Sequence, residues 1–332
     1  MKTGRAAPGI SRLVVLLAAM APLCLVAPAH ALKPVRGYPA RPSDYGIIYR
    51  EVTFTARDSI VLHGWFYPAQ DTSGIANDLV GAVVPVPPER RPGPRPYAVR
   101  GGTPAPTVVV CDGDAGNMAD LILCAYNLST RGFNVLTFDW RGFGESAEWR
   151  LDPNRLCASE FLLDYDAAID FVLGQPEVNP ADGAGGRARA RARVGVLGFS
   201  TGAYLSFAEA AKRREVGAFA GRALITSFDD LLPILRKLDP GRPWAAPPGY
   251  PLELLPAQAA ARGFRTPAFL VVGKEDKRTP PWMSRRIYAQ LMGPKELWVV
   301  PKAEHGGMTA PELVDYPRAF ERLAAFYRKH LP

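Results

Sequence analysis

The sequence predicts an α/β fold, in which a mainly parallel β-sheet is covered by helices on both faces and preceded by an antiparallel hairpin. Residues 107–111 and 194–199 are short, wholly apolar runs, as is typical of strands buried on both faces of a sheet. Residues 161–173, between these runs, have the apolar spacing of an amphipathic helix. Strands that alternate with helices pair in parallel through right-handed crossovers, so their carboxyl ends should share one edge, where ligands bind.

Residues 1–31 are predicted to be a secretory signal peptide. Three basic residues (Lys2, Arg5 and Arg12) precede the apolar run 13–26, and Ala29-His30-Ala31 fits a small-x-small cleavage site. The apolar run is shorter than the roughly 20 residues of a membrane-spanning helix. We therefore expect cleavage and an exported protein, periplasmic or secreted, without stable membrane insertion. A membrane anchor formed by the uncleaved N-terminal segment is the alternative.

Residues 32–332 are predicted to form a single domain. Hydrophobic residues make up 48% of the chain, and the formal net charge of +8 includes the basic residues of the predicted signal peptide. This mild basicity implies solubility and little else. The arginine-rich stretch 183–193 has no aromatic residues for base stacking, so we expect a solvated loop there and no nucleic-acid partner.

Cysteine usage gives no sign of a metal site. Cys111, Cys124 and Cys157 follow the predicted signal peptide, without a Cys-x-x-Cys pair or a zinc-type cluster with histidine. An odd number leaves at least one thiol unpaired or paired between chains. Buried free thiols are favoured over a Cys111–Cys124 disulfide, which the sequence leaves open.

Turn signals and periodicity place the other elements along the chain. Residues 32–46 predict an extended lead-in, and residues 47–55 and 60–67 alternate like the strands of a hairpin. Residues 68–106 predict a long surface insertion, and the proline-broken residues 228–262 predict a small lid over the strand ends. Further strands are predicted at 133–138, 223–226, 268–273 and 297–300, and further helices at 117–130, 203–212, 282–292 and 312–330.

The strongest functional signal is Gly198-Phe199-Ser200-Thr201-Gly202, between the strand 194–199 and the helix 203–212. A serine on such a sharp strand-to-helix turn has strained backbone angles that lift its hydroxyl above the sheet. The two glycines remove Cβ atoms that would clash across the turn. The helix N-terminus offers free N–H groups to developing negative charge. We therefore predict that Ser200 is a nucleophile.

A serine hydroxyl needs a base, and the chain after residue 31 contains three histidines. His63 lies in the second hairpin strand, which we expect to be far from the catalytic edge, and His330 lies two residues from the last residue. His305 follows the strand 297–300 in a loop expected at the same edge as Ser200. Elimination of the other two histidines therefore predicts that His305 is the base.

The base in turn needs a carboxylate to orient it. Asp276 lies just past the strand 268–273 and is predicted to be that acid. Asp229 and Asp230, which follow the preceding predicted strand, are the alternatives, whereas the adjacent Glu275 would point differently.

Two backbone N–H groups should hold the developing oxyanion. One belongs to Thr201, directly after the nucleophile. The second is assigned to Asp114 in the loop Asp112-Gly113-Asp114-Ala115-Gly116-Asn117, whose glycines let the backbone approach a ligand. The carboxylates of Asp112, Asp114 and Asp120 lack the spacing of a calcium-binding loop, so no metal is expected.

From about residue 46 onward, the chain resembles the α/β hydrolases, in particular the compact serine aminopeptidase-like and dienelactone-hydrolase-like branches with a small lid. The resemblance implies the order nucleophile, acid, base, as in Ser200, Asp276 and His305. Two positions depart from the family pattern: Asp112 stands where His usually precedes Gly, and Glu304 stands where Gly usually precedes the catalytic His. The motifs that match are Leu62-His63-Gly64-Trp65-Phe66-Tyr67-Pro68, the loop 112–117, Asp139-Trp140-Arg141-Gly142-Phe143-Gly144-Glu145-Ser146 and the turn 198–202.

These features predict a serine hydrolase that cleaves the carboxylic ester of a small-molecule acyl substrate through a Ser-His-Asp triad and an acyl-enzyme, without a cofactor. Thioesterase or peptidase activity would use the same groups and is an alternative. A non-catalytic envelope binding protein, with the insertion 68–106 contacting a partner, is a second alternative. The sequence determines neither the acyl group nor the oligomeric state.

Overall fold

A computed structural model describes residues 31–71, 105–178 and 194–331. Residues 1–30 of the predicted signal peptide, residues 72–104 of the predicted insertion and the arginine-rich stretch 183–193 lie outside the described residues. The start of the insertion is anchored, because the buried Gln70 amide accepts the Ile48 N–H at 3.1 Å and donates to the Ile48 carbonyl at 2.9 Å.

A mixed eight-stranded sheet forms the centre of the described fold. The described strands are β1 (Lys33–Pro34), β2 (Arg50–Thr55), β3 (Val61–Tyr67), β4 (Thr107–Cys111), β5 (Ala115–Gly116), β6 (Asn134–Phe138), β7 (Val194–Phe199), β8 (Val216–Arg222), β9 (Ala268–Gly273) and β10 (Lys295–Val300). The sheet order is β10-β9-β8-β7-β4-β6-β3-β2. Only the β2–β3 and β3–β6 pairs of this sheet are antiparallel. The predicted mainly parallel sheet with an N-terminal hairpin is confirmed.

Helices cover both faces of the sheet. The α-helices among the described residues are α1 (Ile122–Ser129), α2 (Phe161–Leu173), α3 (Thr201–Lys212), α4 (Phe228–Leu238), α5 (Pro256–Ala261), α6 (Pro281–Gln290), α7 (Pro311–Val314) and α8 (Arg318–His330). One apolar core contains Tyr165 of α2 and Phe207 of α3, and the other contains Leu128 of α1 and Phe326 of α8. None of the helices in these residues combines the length and hydrophobicity needed to cross a membrane.

The strand predicted at 223–226 is wrong, because β8 occupies the preceding residues Val216–Arg222. The strand is rich in glycine and alanine, so it lacks the β-branched run by which a buried strand is recognised. A Cβ at Gly221 would lie 2.4 Å from the Phe219 ring, which explains why a small residue is needed there. Ala223 has a φ of 61°, which ends the strand before the predicted segment.

The closing helix predicted at 312–330 is divided into α7 and α8. Pro317 lies immediately before α8, and a proline inside a helix removes a hydrogen bond and clashes with the preceding turn. The residue before a proline also disfavours helical backbone angles. Two shorter helices therefore replace the one that apolar spacing predicts.

Cys111, Cys124 and Cys157 are all buried and free. Burial raises the pKa of each thiol, so all three are held in the unreactive protonated form. The Cys111–Cys124 disulfide that the sequence leaves open is not formed.

A buried ion pair ties α2 to the turn after β6. The Asp164 carboxylate accepts hydrogen bonds from the Arg141 backbone N–H at 3.0 Å, from Nε at 2.8 Å and from Nη2 at 2.6 Å. Both side chains are fully buried. Arg141 also pairs with the partly exposed Asp58. The 139–146 turn is thereby joined to the helical layer.

We expect Asp164→Ala to lower the free energy of unfolding by about 3 kcal/mol, because it leaves a buried guanidinium short of its main partner. Asp170→Ala is the matched control on the same helix: it breaks a pair with Arg213 whose aspartate side chain is 68% exposed, and should cost less than about 1 kcal/mol. Urea unfolding of both variants measures the difference. Equal losses of unfolding free energy in the two variants would contradict the stabilising role of the buried Arg141–Asp164 pair.

Candidate active site

Strand β7 delivers Ser200 into a sharp turn before α3. Ser200 has a φ of 51° and a ψ of −111°, which a non-glycine residue adopts at a cost of roughly 1–3 kcal/mol. A Cβ at Gly198 would lie 2.1 Å from the Gly202 carbonyl oxygen, and a Cβ at Gly202 would lie 2.3 Å from the Asp112 carbonyl oxygen. The two glycines therefore let the turn close against both the helix and the loop after β4.

The imidazole of His305 lies between the Ser200 hydroxyl and a carboxylate. Its Nε2 is 3.1 Å from the Ser200 Oγ, although 105 residues separate the two along the chain. Its Nδ1 is 2.9 Å from Oδ2 of Asp276 and 3.2 Å from Oγ1 of Thr279. When Nδ1–H donates to the carboxylate, Nε2 is left free to accept the hydroxyl proton.

Backbone and side-chain donors hold the Asp276 carboxylate after β9. Its Oδ1 accepts the N–H groups of Arg278 and Thr279, both at 2.9 Å, and its Oδ2 accepts the Thr279 hydroxyl at 2.7 Å. Burial raises the pKa of this carboxyl, but the hydrogen bond and charge of His305 and the Thr279 donors outweigh it, so the pKa lies below its ordinary value. Thr279 escapes prediction from the sequence, although an Asp-x-x-Thr spacing of the Asx-turn kind is a signal for it.

Asp229, Asp230 and Glu275 are the other acids considered as the partner of His305. Asp229 is exposed in the first turn of α4. Asp230 accepts the Thr226 hydroxyl at 2.5 Å and pairs with Arg286 at 3.4 Å. Glu275 is exposed. Of the acids considered, Asp276 is the one whose carboxylate lies within hydrogen-bond distance of the His305 imidazole.

Arg222, at the end of β8, links the parts of the site. Its backbone carbonyl accepts the Ser200 N–H at 2.9 Å, and its guanidinium donates to the His305 carbonyl. The guanidinium Nε also pairs with Glu312 at 3.3 Å. No sequence motif marks Arg222, because its partners lie far away along the chain. Glu304 stands where the family usually has Gly before the catalytic His. Its carboxylate accepts a hydrogen bond from the nearby Thr309 hydroxyl at 2.8 Å.

The residues assigned to oxyanion binding lie on segments that adjoin Ser200. Thr201 is the first residue of α3, so its N–H has no acceptor within the helix. The loop after β4 packs against the nucleophile, because a Cβ at Gly113 would lie 3.6 Å from the Ser200 Cβ. The Gly113 N–H donates to its neighbour's carboxylate, Asp112 Oδ1, at 2.7 Å. The next N–H along the loop belongs to Asp114.

A cavity of about 430 Å³ adjoins this loop, α1 and the α7–α8 region. Its lining combines apolar side chains with the charged groups of Asp112, Asp120, Arg222 and Glu312. Burial raises the pKa of Asp112 to about 7, and the Asp120 carboxylate adds to the effect. Across the described ranges, no three His, Cys, Asp or Glu side chains are grouped in a way that could hold a metal ion.

Asp112 should make stability depend on pH. Because its pKa is raised on folding, the folded state retains a proton that the unfolded state loses between roughly pH 4 and pH 7, so the free energy of unfolding falls as pH rises. Asp112→Asn removes this titration. We expect the variant to be more stable than the unsubstituted protein, on the order of 2 kcal/mol at pH 8, with the gap closing towards pH 4.

Urea unfolding at several pH values measures this divergence. The exposed Asp152→Asn is the control and should follow the unsubstituted protein. Parallel pH curves for Asp112→Asn and the unsubstituted protein would show that Asp112 does not titrate as stated.

The prediction that His63 lies far from this edge is wrong. Strand β3 runs antiparallel to β6, so the start of β3 lies beside the carboxyl end of β6, and the Asp139 N–H donates to the His63 carbonyl at 3.0 Å. The Tyr38 hydroxyl is 2.6 Å from Asp139 Oδ2 and 2.9 Å from His63 Nδ1. His63 supports the turn that follows β6, since its own N–H donates to the Ser146 hydroxyl at 2.9 Å. The imidazole beside Ser200 is that of His305.

Comparison with known proteins gives distant likenesses. No family model matches the sequence. An uncharacterised protein of Mycobacterium tuberculosis, Rv2307c, is 27% identical over 266 residues, which are 80% of this chain and 74% of that protein. The esterase Pf2001 of Pyrococcus furiosus has a TM-score of 0.61 at 16% identity, over 90% of this chain and 100% of its own. The α/β hydrolase GrgF from Penicillium has a TM-score of 0.58 at 18% identity, over 86% and 99%. At these identities, the likeness to solved structures shows a shared fold.

Proposed function

We propose that this chain, which has the α/β-hydrolase fold, is a serine hydrolase that cleaves carboxylic esters. One observation carries the proposal: a single imidazole lies 3.1 Å from the Ser200 hydroxyl and 2.9 Å from the Asp276 carboxylate. Nucleophilic catalysis requires a serine on a strained turn, a base within hydrogen-bond distance of it, and a carboxylate that orients the base.

In the first step, the Ser200 hydroxyl attacks the ester carbonyl carbon while Nε2 of His305 takes its proton. The ionised Asp276 stabilises the resulting imidazolium. The carbonyl oxygen becomes an oxyanion, for which we assign the N–H groups of Thr201 and Asp114 as donors. The carbon–oxygen bond to the alcohol then breaks, and the imidazolium returns the proton to the leaving alcohol.

In the second step, water replaces the alcohol beside His305. The imidazole accepts a water proton as the hydroxide attacks the acyl-serine carbonyl, and the same N–H groups would hold the second oxyanion. The serine oxygen leaves and regains the proton from the imidazolium. The products are a carboxylic acid and the free enzyme, and the chemistry calls on no cofactor.

We assign residues 228–262 as a small lid beside this site. The rings of Phe228 and Tyr250 pack on Tyr204 of α3, with centroids 5.6 Å and 6.0 Å away. The guanidinium of Arg278, two residues beyond Asp276, lies 5.7 Å from the ring of Trp244 in the same segment. We expect a lid of this size to leave an open cleft, which favours a small-molecule ester as substrate.

We also propose that the protein is exported after cleavage of residues 1–31. The support is the basic start, the apolar run and the small-x-small site in the sequence. N-terminal sequencing of the protein recovered from the periplasm or medium of an expressing cell tests this, and an intact Met1 on membranes would favour the anchor instead.

The proposed reaction is tested with purified protein and a matched set of esters, thioesters and anilides that carry the same acyl groups, from acetyl to decanoyl. We expect the esters to be turned over fastest and a fluorophosphonate probe to label Ser200. Preference for the thioester or the anilide would favour the thioesterase or peptidase alternative. Absence of both turnover and labelling would reject the hydrolase and favour a binding protein.

A further inference from the structure

Residues 33–38, called here the N-terminal strap, cross the edge of the sheet beside the proposed active site. The sequence predicts only an extended lead-in here, but β1 pairs in parallel with β5. The Lys33 N–H donates to the Asp114 carbonyl at 2.8 Å, and the Val35 N–H donates to the Gly116 carbonyl at 3.0 Å. The strap therefore bonds to the loop that carries the assigned Asp114 donor.

The strap is anchored on its other side to the 139–146 turn. The Gly144 N–H donates to the Val35 carbonyl at 3.0 Å. The Arg36 guanidinium donates to the carbonyls of Phe143 at 3.3 Å and Ser146 at 2.7 Å. Because β4 and β6 are neighbours in the sheet, the strap connects the loop after one strand to the turn after the next.

The two ends of the loop after β4 depend on different supports. At its beginning, Cys111 pairs with Gly198 inside the sheet. Towards its end, the Asn117 side chain donates to the carbonyls of Gly37 at 2.6 Å and Val35 at 3.2 Å. With the bonds from Lys33 and Val35, the second half of the loop is held by the strap rather than by the ladder of the main sheet.

We propose that the N-terminal strap is a positioning element of the oxyanion hole: by bonding the Asp114 carbonyl, it holds that residue where its backbone N–H meets the oxyanion formed at Ser200. This inference rests on the proposed hydrolase function. Loss of an oxyanion donor lowers kcat by about 10²–10³-fold, so displacing one should cost tenfold or more. The loss should fall on kcat rather than KM, because the donor strengthens its bond in the transition state.

Lys33→Pro tests the inference, because proline cannot donate the hydrogen bond to Asp114. The Lys33 side chain is exposed, so the substitution leaves the core intact. Lys33→Ala is the matched control: it also removes the side chain but keeps the N–H, so the two variants differ in that hydrogen bond and in the proline ring, which fixes φ. We expect kcat for a p-nitrophenyl ester to be at least tenfold lower in Lys33→Pro than in Lys33→Ala, with similar KM values.

Hydrogen–deuterium exchange provides a second measurement that is independent of turnover. Residues 113–117 should exchange faster in Lys33→Pro than in Lys33→Ala, while β4 and β7 stay equally protected. Arg36→Ala, which loosens the strap at its other anchor, should change kcat and exchange in the same direction by a smaller factor.

Equal kcat values for Lys33→Pro and Lys33→Ala would overturn the inference, as would a loss of kcat with unchanged exchange at 113–117. An effect on KM alone would also overturn it, because it would assign the strap to substrate binding. An unsubstituted protein that is neither active nor labelled by fluorophosphonate would instead refute the proposed function, together with the inference built on it.

Discussion

Ser200→Ala should reduce kcat for a p-nitrophenyl ester by a factor on the order of 10⁶. A methyl group cannot attack the carbonyl, and His305 lies 3.1 Å from an oxygen that is no longer present. The residual rate should come from water attack assisted by the oxyanion donors. A factor of this size corresponds to roughly 8 kcal/mol of transition-state stabilisation.

Two further variants make this result specific. Ser43→Ala removes an exposed serine in the short helix Pro42–Tyr45 and should leave kcat and fluorophosphonate labelling unchanged. The double variant Ser200→Ala/His305→Ala should be no slower than Ser200→Ala alone, because residues that act as a unit are not additive. Substantial turnover by Ser200→Ala, at more than a few per cent of the starting rate, would remove Ser200 from the mechanism.

Asp276→Asn should lower kcat by about 10⁴-fold while the fold is retained. Oδ1 of Asp276 accepts two backbone N–H bonds, from Arg278 and Thr279, so the carbonyl oxygen of the asparagine should remain at that position. Its amide NH₂ would then face His305 and require Nδ1 to be an acceptor. The proton would move to Nε2, which could no longer accept the proton of Ser200.

Asp229→Asn is the matched control for the acid, because Asp229 is the exposed alternative that follows β8. The kcat of Asp229→Asn should equal that of the unsubstituted protein. If Asp229→Asn lost activity while Asp276→Asn kept it, Asp229 rather than Asp276 would be the acid of the triad. Steady-state kinetics and thermal unfolding of both variants separate a catalytic defect from a folding defect.

The alternation of buried strands and helices, the hairpin and the glycine-flanked serine turn could be predicted from the sequence. Each depends on signals within about a dozen residues: apolar periodicity, turn chemistry, or glycines beside a strained serine. The same signals give wrong element bounds where a strand is built from small residues or where a proline interrupts an apolar pattern. Strand β8 is rich in glycine and alanine, and the Phe219 ring occupies the space beside Gly221. Pro317 divides a helix that apolar spacing alone would continue.

The sequence by itself determined the class of fold and proposed Ser200, Asp276 and His305 as partners, because strand order along the chain predicts which loops share an edge. Only the tertiary structure decided which groups support them. Thr279, Arg222 and the N-terminal strap hold the site through contacts such as Lys33 to Asp114, and the reversed direction of β3 brings His63 to the same edge. Such contacts join residues far apart in sequence, and their geometry exists only after the sheet has assembled.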